Sequence, residues 1–125
     1  MLQKLTLAGL SVAAALVATS ANAMTVEAFL ASASRIPNNP TALLRSDTRR
    51  LMAEFRGAMV KVRDSQTAAR AAGTRPATCM PEKVGMSPED ILRRFNAIPA
   101  ARRSQISVDQ AVREWMAERY PCPAA

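Results

Sequence analysis

The chain has 125 residues, 17 Lys and Arg against 10 Asp and Glu, two Cys and no His. Without His, Ser-His and Cys-His nucleophilic catalysis and His-bearing zinc sites are excluded, and two Cys cannot close a structural zinc site. The net charge of +7 comes mostly from Arg and favours partners that present carboxylates or phosphates. We therefore expect no catalytic residues, no cofactor and no bound metal.

Residues 1–23 have the features of a cleavable secretory signal peptide. Lys4 supplies the charged n-region, Leu5–Ala18 is apolar, and Ala21-Asn22-Ala23 is a small-x-small cleavage sequence. The apolar run is short for a membrane-spanning helix, which needs roughly 20 residues. We predict cleavage at this site and a periplasmic domain of residues 24–125, with no membrane insertion after cleavage and no nucleic acid as partner.

The first half of this domain contains signals for two helices. Thr25 can cap a short first helix, and Pro37 and Pro40 interrupt the chain after it. Thr41 is the expected cap of a long second helix, which we predict to end near Ala69. Apolar residues at helical spacing give this helix a core-facing side: Leu44, Leu51, Phe55, Met59 and Val62.

The second half contains signals for two further helices. Ser87-Pro88-Glu89-Asp90 combines a capping Ser, a Pro at the first helical position and two acids, and Pro99 ends that helix. Arg94 lies four residues after Asp90, at the spacing of an ion pair. Ser107-Val108-Asp109-Gln110 is a capping box for the last helix. We predict an all-α, small four- to five-helix domain with one large aromatic core residue per main helix: Phe29, Phe55, Phe95 and Trp115.

The chain has an export signal and an even number of cysteines, Cys79 and Cys122. Because exported proteins meet an oxidising compartment, we predict one disulfide between them. They are 43 residues apart. A loop of this length corresponds to about 4 kcal/mol of stabilisation in the chain-entropy model. Redox-active thiols are the alternative, but the chain has no Cys-x-x-Cys sequence.

Cys79-Met80-Pro81, then two amphipathic helices and Arg119-Tyr120-Pro121-Cys122, resembles the Rap/Tai family of small periplasmic immunity proteins. Phe55–Asp64 is similar to that family's C-x-G-Y-I-x-G-x-x-D stretch. The residues that match in kind are Gly57, Met59, Val62 and Asp64.

Three positions depart from the family pattern. Phe55 stands where the family has a Cys, Ala58 replaces an aromatic residue, and Lys61 replaces the second glycine. The partner Cys that the family has in the first helix is also absent. The resemblance implies a non-catalytic protein that neutralises a peptidoglycan amidase effector of type VI secretion. The expected partner is therefore an amidase effector protein, and whether the chain also forms a homodimer stays open.

Arginines recur along one side of the second helix at spacings of four, seven, seven and seven residues, which places them beside the apolar face. One interpretation is a binding surface for an acidic partner, because the arginine fork pairs with carboxylates while its stem packs. The other is a solvated face whose stems cover the edge of the core. The candidate partner-binding residues are Arg45, Arg49, Arg56, Arg63 and Arg70.

Two further functions compete with immunity. A periplasmic acid or stress chaperone fits a small disulfide-tied helical protein, and without His its switching depends on carboxylates that titrate near pH about 4. An enzyme needs a carboxylate pair such as Glu114 and Glu118, which share a helix face. We rank the chaperone second and expect no enzymatic activity.

Overall fold

The computed structural model describes residues 23–124, so the predicted signal peptide lies outside the described residues except for Ala23. The described part contains helices and no strand, and one disulfide joins Cys79 to Cys122. The first observation confirms the predicted all-α class, and the second confirms the predicted disulfide. The elements are α1 Val26–Ser34, a 3-10 helix Pro40–Leu44, α2 Ser46–Ala71, α3 Pro88–Asn96, α4 Ala100–Arg103 and α5 Val108–Arg119.

Helix α2 packs mainly against α5, and the contact forms the centre of the core. The buried side chains of α2 recur at intervals of four or seven residues, as one helical face requires, and include Leu51, Ala58 and Val62. Helix α5 contributes the other side of this core. Its buried residues are Val108, Ala111, Val112, Trp115 and Met116.

An aromatic chain connects four helices through this core. Phe95 has no exposed surface, and its ring lies edge-on to that of Phe29 with centroids 5.1 Å apart. The ring centroid of Phe55 is 6.4 Å from that of Phe95 and 6.3 Å from that of Trp115. The predicted role of these four aromatics as core residues is confirmed, with Phe55 only partly buried.

The predicted start of the second helix is wrong. The Asn39 side chain accepts a hydrogen bond from the Thr41 backbone N–H at 3.0 Å, and residues 40–44 close into a 3-10 helix. Arg45 is extended, with φ −79° and ψ 140°, so the helical path stops there and α2 begins only at Ser46. Leu44 therefore lies outside α2 and is 78% exposed, not part of its core face.

Backbone and side-chain hydrogen bonds surround the disulfide. The Cα atoms of Cys79 and Cys122 are 4.8 Å apart, and the Cys79 N–H donates to the Tyr120 carbonyl at 2.9 Å. The buried amide of Gln66 on α2 pairs with both backbone groups of Met80, at 2.8 and 3.3 Å. These contacts fix the Cys-Met-Pro segment between α2 and the end of α5.

Candidate partner-binding surface

The outer side of α2 alternates arginine with smaller or apolar residues. Positions three or four residues apart share a helix face, and the set spans about 30 Å of helix. We call this surface the arginine ridge, and it consists of Arg49, Met52, Arg56, Val60, Arg63, Thr67 and Arg70.

The predicted arginines do not all have the same environment. Arg49, Arg56 and Arg70 are exposed and have no side-chain hydrogen bond or ion pair among the described residues. Arg63 is half-buried and donates to the Pro81 carbonyl at 3.2 Å, so it supports the loop before α3. Arg45 precedes α2 and pairs with Asp47 at 3.3 Å. The structure thus aligns four of the five arginines on α2, and the guanidinium groups of three of these have no bonding partner among the described residues.

Large apolar side chains are exposed on and beside the arginine ridge, and sequence reasoning missed them as candidate binding residues. Leu43 is 71% exposed and Leu44 78%, and Met52 and Val60 are each about half exposed. Met52 lies three residues after Arg49, and Val60 lies four residues after Arg56. This helical spacing could have placed both apolar residues on the arginine side of the helix. A mixed composition of Arg and apolar residues is typical of protein interfaces. Contiguous exposed apolar side chains also mark interaction sites.

A second feature is an open cleft of about 400 Å³ between α3 and α5. Its charged groups largely neutralise each other: Arg93 pairs with Asp90 at 3.1 Å, and Arg94 pairs with Glu118 at 2.6 Å. The Arg94 guanidinium also lies 5.9 Å from the centre of the Trp115 ring. The cleft is lined by Asp90, Arg93, Arg94, Ala97, Trp115 and Arg119.

Glu114 and Glu118, the carboxylate pair considered for catalysis, each form a separate ion pair. Arg102 donates to Glu114 at 2.9 Å, and this hydrogen bond lowers the pKa of that carboxyl. The hydrogen bond from Arg94 lowers the pKa of Glu118 in the same way. Both carboxyl groups are therefore ionised at neutral pH and neutralise arginines of α3 and α4.

We expect the thermal stability to fall in acid. Hydrogen bonds from Ser87 lower the pKa of Asp90 from its ordinary value of 3.8. Hydrogen bonds from arginines lower the pKa values of Glu114 and Glu118 from their ordinary value of 4.5. A carboxyl with a lowered pKa in the folded state stabilises the fold above its ordinary pKa, and this contribution is lost as the pH falls through the folded-state pKa. The Tm should be nearly constant from pH 7 to 5 and fall below pH about 4.

The control for this prediction is the double variant Glu114→Gln with Glu118→Gln. It should have a lower Tm than the wild type at pH 7, and its Tm should depend less on pH between 5 and 3. Equal pH dependence of the two proteins, followed by circular dichroism, would show that other groups control acid stability.

Within residues 23–124, no group of three or more His, Cys, Asp or Glu side chains is arranged to hold a metal ion. Nor does this part of the chain contain a helix long and apolar enough to cross a membrane. Comparisons with protein-family models, with curated proteins and with solved structures give no match to this chain.

Proposed function

We propose that this protein is a periplasmic, non-catalytic binding protein that neutralises a secreted peptidoglycan amidase effector, as an immunity protein of the Rap/Tai type does. The observation that carries the proposal is the arginine ridge, in which exposed Arg49 and Arg56 alternate with exposed Met52 and Val60. The resemblance around Cys79 and Cys122 supplies the class of partner.

The ridge suits a partner whose cleft has an acidic rim. The guanidinium groups of Arg49, Arg56 and Arg70 have no intramolecular acceptor among the described residues, so binding need not break an existing ion pair. Arg is enriched at interface hot spots because its fork pairs with carboxylates while its stem packs. The positive net charge would also speed the encounter with an acidic surface.

Helix α2 also presents the ridge in a fixed position. Its inner face is buried against α5, and its Gln66 side chain is bonded to the Met80 backbone next to the disulfide. A surface held rigid before binding loses little conformational entropy in the complex. The Cys-Met-Pro and Tyr-Pro-Cys sequences thus support the ridge indirectly, through the packing of α2.

The test replaces Arg49 and Arg56 with Glu. We expect the double variant to lose protection in cells exposed to a peptidoglycan amidase effector against which the wild-type protein protects. Binding to the purified amidase should show an association rate at least about tenfold lower, because charge steering acts on that rate. Arg63 is left unchanged, because its bond to the Pro81 carbonyl would mix a structural effect with a binding effect.

The matched control is Arg50→Glu with Arg113→Glu, which makes the same change in net charge. Both residues are exposed, but Arg50 is rotated by about 100° from Arg49 around α2, and Arg113 lies on α5. This control should protect as the wild type does. Wild-type protection by the Arg49 and Arg56 variant would contradict the role of the ridge, and a wild-type protein that binds no such amidase would contradict the immunity function.

A periplasmic acid-stress chaperone is the second candidate. The observation in its favour is the exposed Leu43–Leu44 pair, together with ion pairs that weaken as Glu114 and Glu118 are protonated. It predicts suppression of client-protein aggregation at a pH below about 4 but not at pH 7. An aggregation assay at both pH values, scored by light scattering, separates this function from neutralisation of an amidase.

A further inference from the structure

We propose that Leu43 and Leu44 form the apolar anchor of the binding surface and insert into an apolar pocket with an acidic rim on the partner protein. The inference rests on the proposed function for the identity of that partner, the amidase. It adds a second element to the arginine ridge: a tip formed by the 3-10 helix Pro40–Leu44, at the N-terminal end of α2.

The two leucines do not stabilise the core. No residue of the 3-10 helix is buried, and Leu43 and Leu44 are the most exposed large apolar side chains in the described part of the chain. Burial of apolar surface lowers the free energy in proportion to the area removed from water. Burial of these two side chains by another molecule is therefore the most favourable among the described apolar residues. Adjacent exposed leucines are typical of an interaction site.

The backbone holds the tip in one conformation. Pro40 fixes φ at the first position of the turn, and the Asn39 side chain accepts the Thr41 N–H. At the other end, the Arg45 N–H donates to the Ala42 carbonyl at 3.2 Å. A tip that is ordered before binding loses little entropy when it enters a pocket.

The neighbouring charges indicate what surrounds that pocket. Arg49, which has no side-chain partner among the described residues, lies in the first turn of α2, five residues after Leu44, so the rim that receives the tip should carry carboxylates. Arg45, next to Leu44, already pairs with Asp47. A second copy of this chain fits poorly, because a two-fold contact through the tip would bring Arg49 of the two copies close together. A lipid surface also fits poorly, since helices that bind lipid do so through an apolar face of several turns.

The experiment compares Leu43→Ser with Leu44→Ser, as a double variant, against the control Leu43→Met with Leu44→Met. Both variants should melt as the wild type does, because the tip contributes nothing to the core. We expect the Ser variant to bind the purified amidase about 100-fold more weakly, and the Met variant to bind within a few-fold of the wild type. The loss should appear in the dissociation rate, whereas ridge variants mainly change the association rate.

Each outcome separates this inference from the proposed function. Tight binding of the amidase by both the wild type and the Ser variant would overturn the anchor and leave the proposed function in place. A wild type that does not bind the amidase would overturn both. Two other results would overturn the assignment of a protein pocket. One is that the wild type sediments with anionic lipid vesicles and the Ser variant does not. The other is that the wild type forms a dimer and the Ser variant does not.

Discussion

Replacing both Cys79 and Cys122 with Ser is expected to lower the free energy of unfolding by about 4 kcal/mol. The bond closes a loop of 43 residues that contains α3, α4 and all of α5, so its loss frees a large part of the unfolded chain. Small domains have total stabilities of about 5–15 kcal/mol. Urea unfolding should therefore show a much lower midpoint, and the Tm should fall by at least about 15 °C.

Reduced wild-type protein is the control for the serine substitution. If the covalent bond itself carries the stabilisation, reduced wild type and the Ser variant should unfold at the same urea concentration. The hydrogen bond from Cys79 N–H to Tyr120 and the Gln66–Met80 contacts do not involve sulfur, so the native fold should persist in both. Equal midpoints for oxidised and reduced wild type would contradict the prediction.

Much of the fold follows from local sequence signals that the structure satisfies. Ser87 and Asp90 form a reciprocal capping box, because each side chain accepts the other residue's backbone N–H. Ser107 caps α5 by accepting the Gln110 N–H, but among the described residues the Gln110 side chain does not return a bond to the Ser107 N–H, so the predicted capping box is only half formed. Such signals act within four residues, where the chain has few alternative partners, and for this reason the starts of α3 and α5 could be predicted.

Signals failed where two nearby groups competed for the same partner. Asn39 caps a 3-10 helix that begins at Pro40, so Thr41 lies inside this short helix and does not cap α2. Asp90 is bonded to the Ser87 N–H and to Arg93, and Arg94 pairs instead with Glu118 on another helix, 24 residues away in sequence. Helical spacing alone does not rank these competitors, because the distant partner is defined only by the tertiary fold.

The candidate site was predicted in part. Spacing placed the arginines on one side of α2, and the structure shows four of them there. Spacing could not show that Arg63 reaches the Pro81 carbonyl, since that contact depends on the loop between α2 and α3. The exposure of Leu44 was mispredicted for the same reason that the start of α2 was: the extended Arg45 separates it from the helix.

Trp115→Ala is expected to destabilise the domain by about 3–5 kcal/mol, as large-to-small substitutions in a core do. The side chain is only 9% exposed and its ring contacts Phe55 of α2, so its loss leaves a cavity between the two longest helices. It also removes the ring beneath the Arg94 guanidinium. Because Trp115 is the only tryptophan, unfolding of the variant must be followed by circular dichroism rather than by fluorescence.

Trp115→Phe separates the core role of this residue from a role in the cleft between α3 and α5. Phenylalanine restores most of the apolar volume, so the Phe variant should regain most of the stability that the Ala variant loses, because the cost follows the residual cavity. Both variants should bind the amidase as the wild type does, at temperatures where they are folded, because the arginine ridge and the Leu43–Leu44 tip are unchanged. An Ala variant with wild-type stability and lost binding would instead place the partner contact at Trp115.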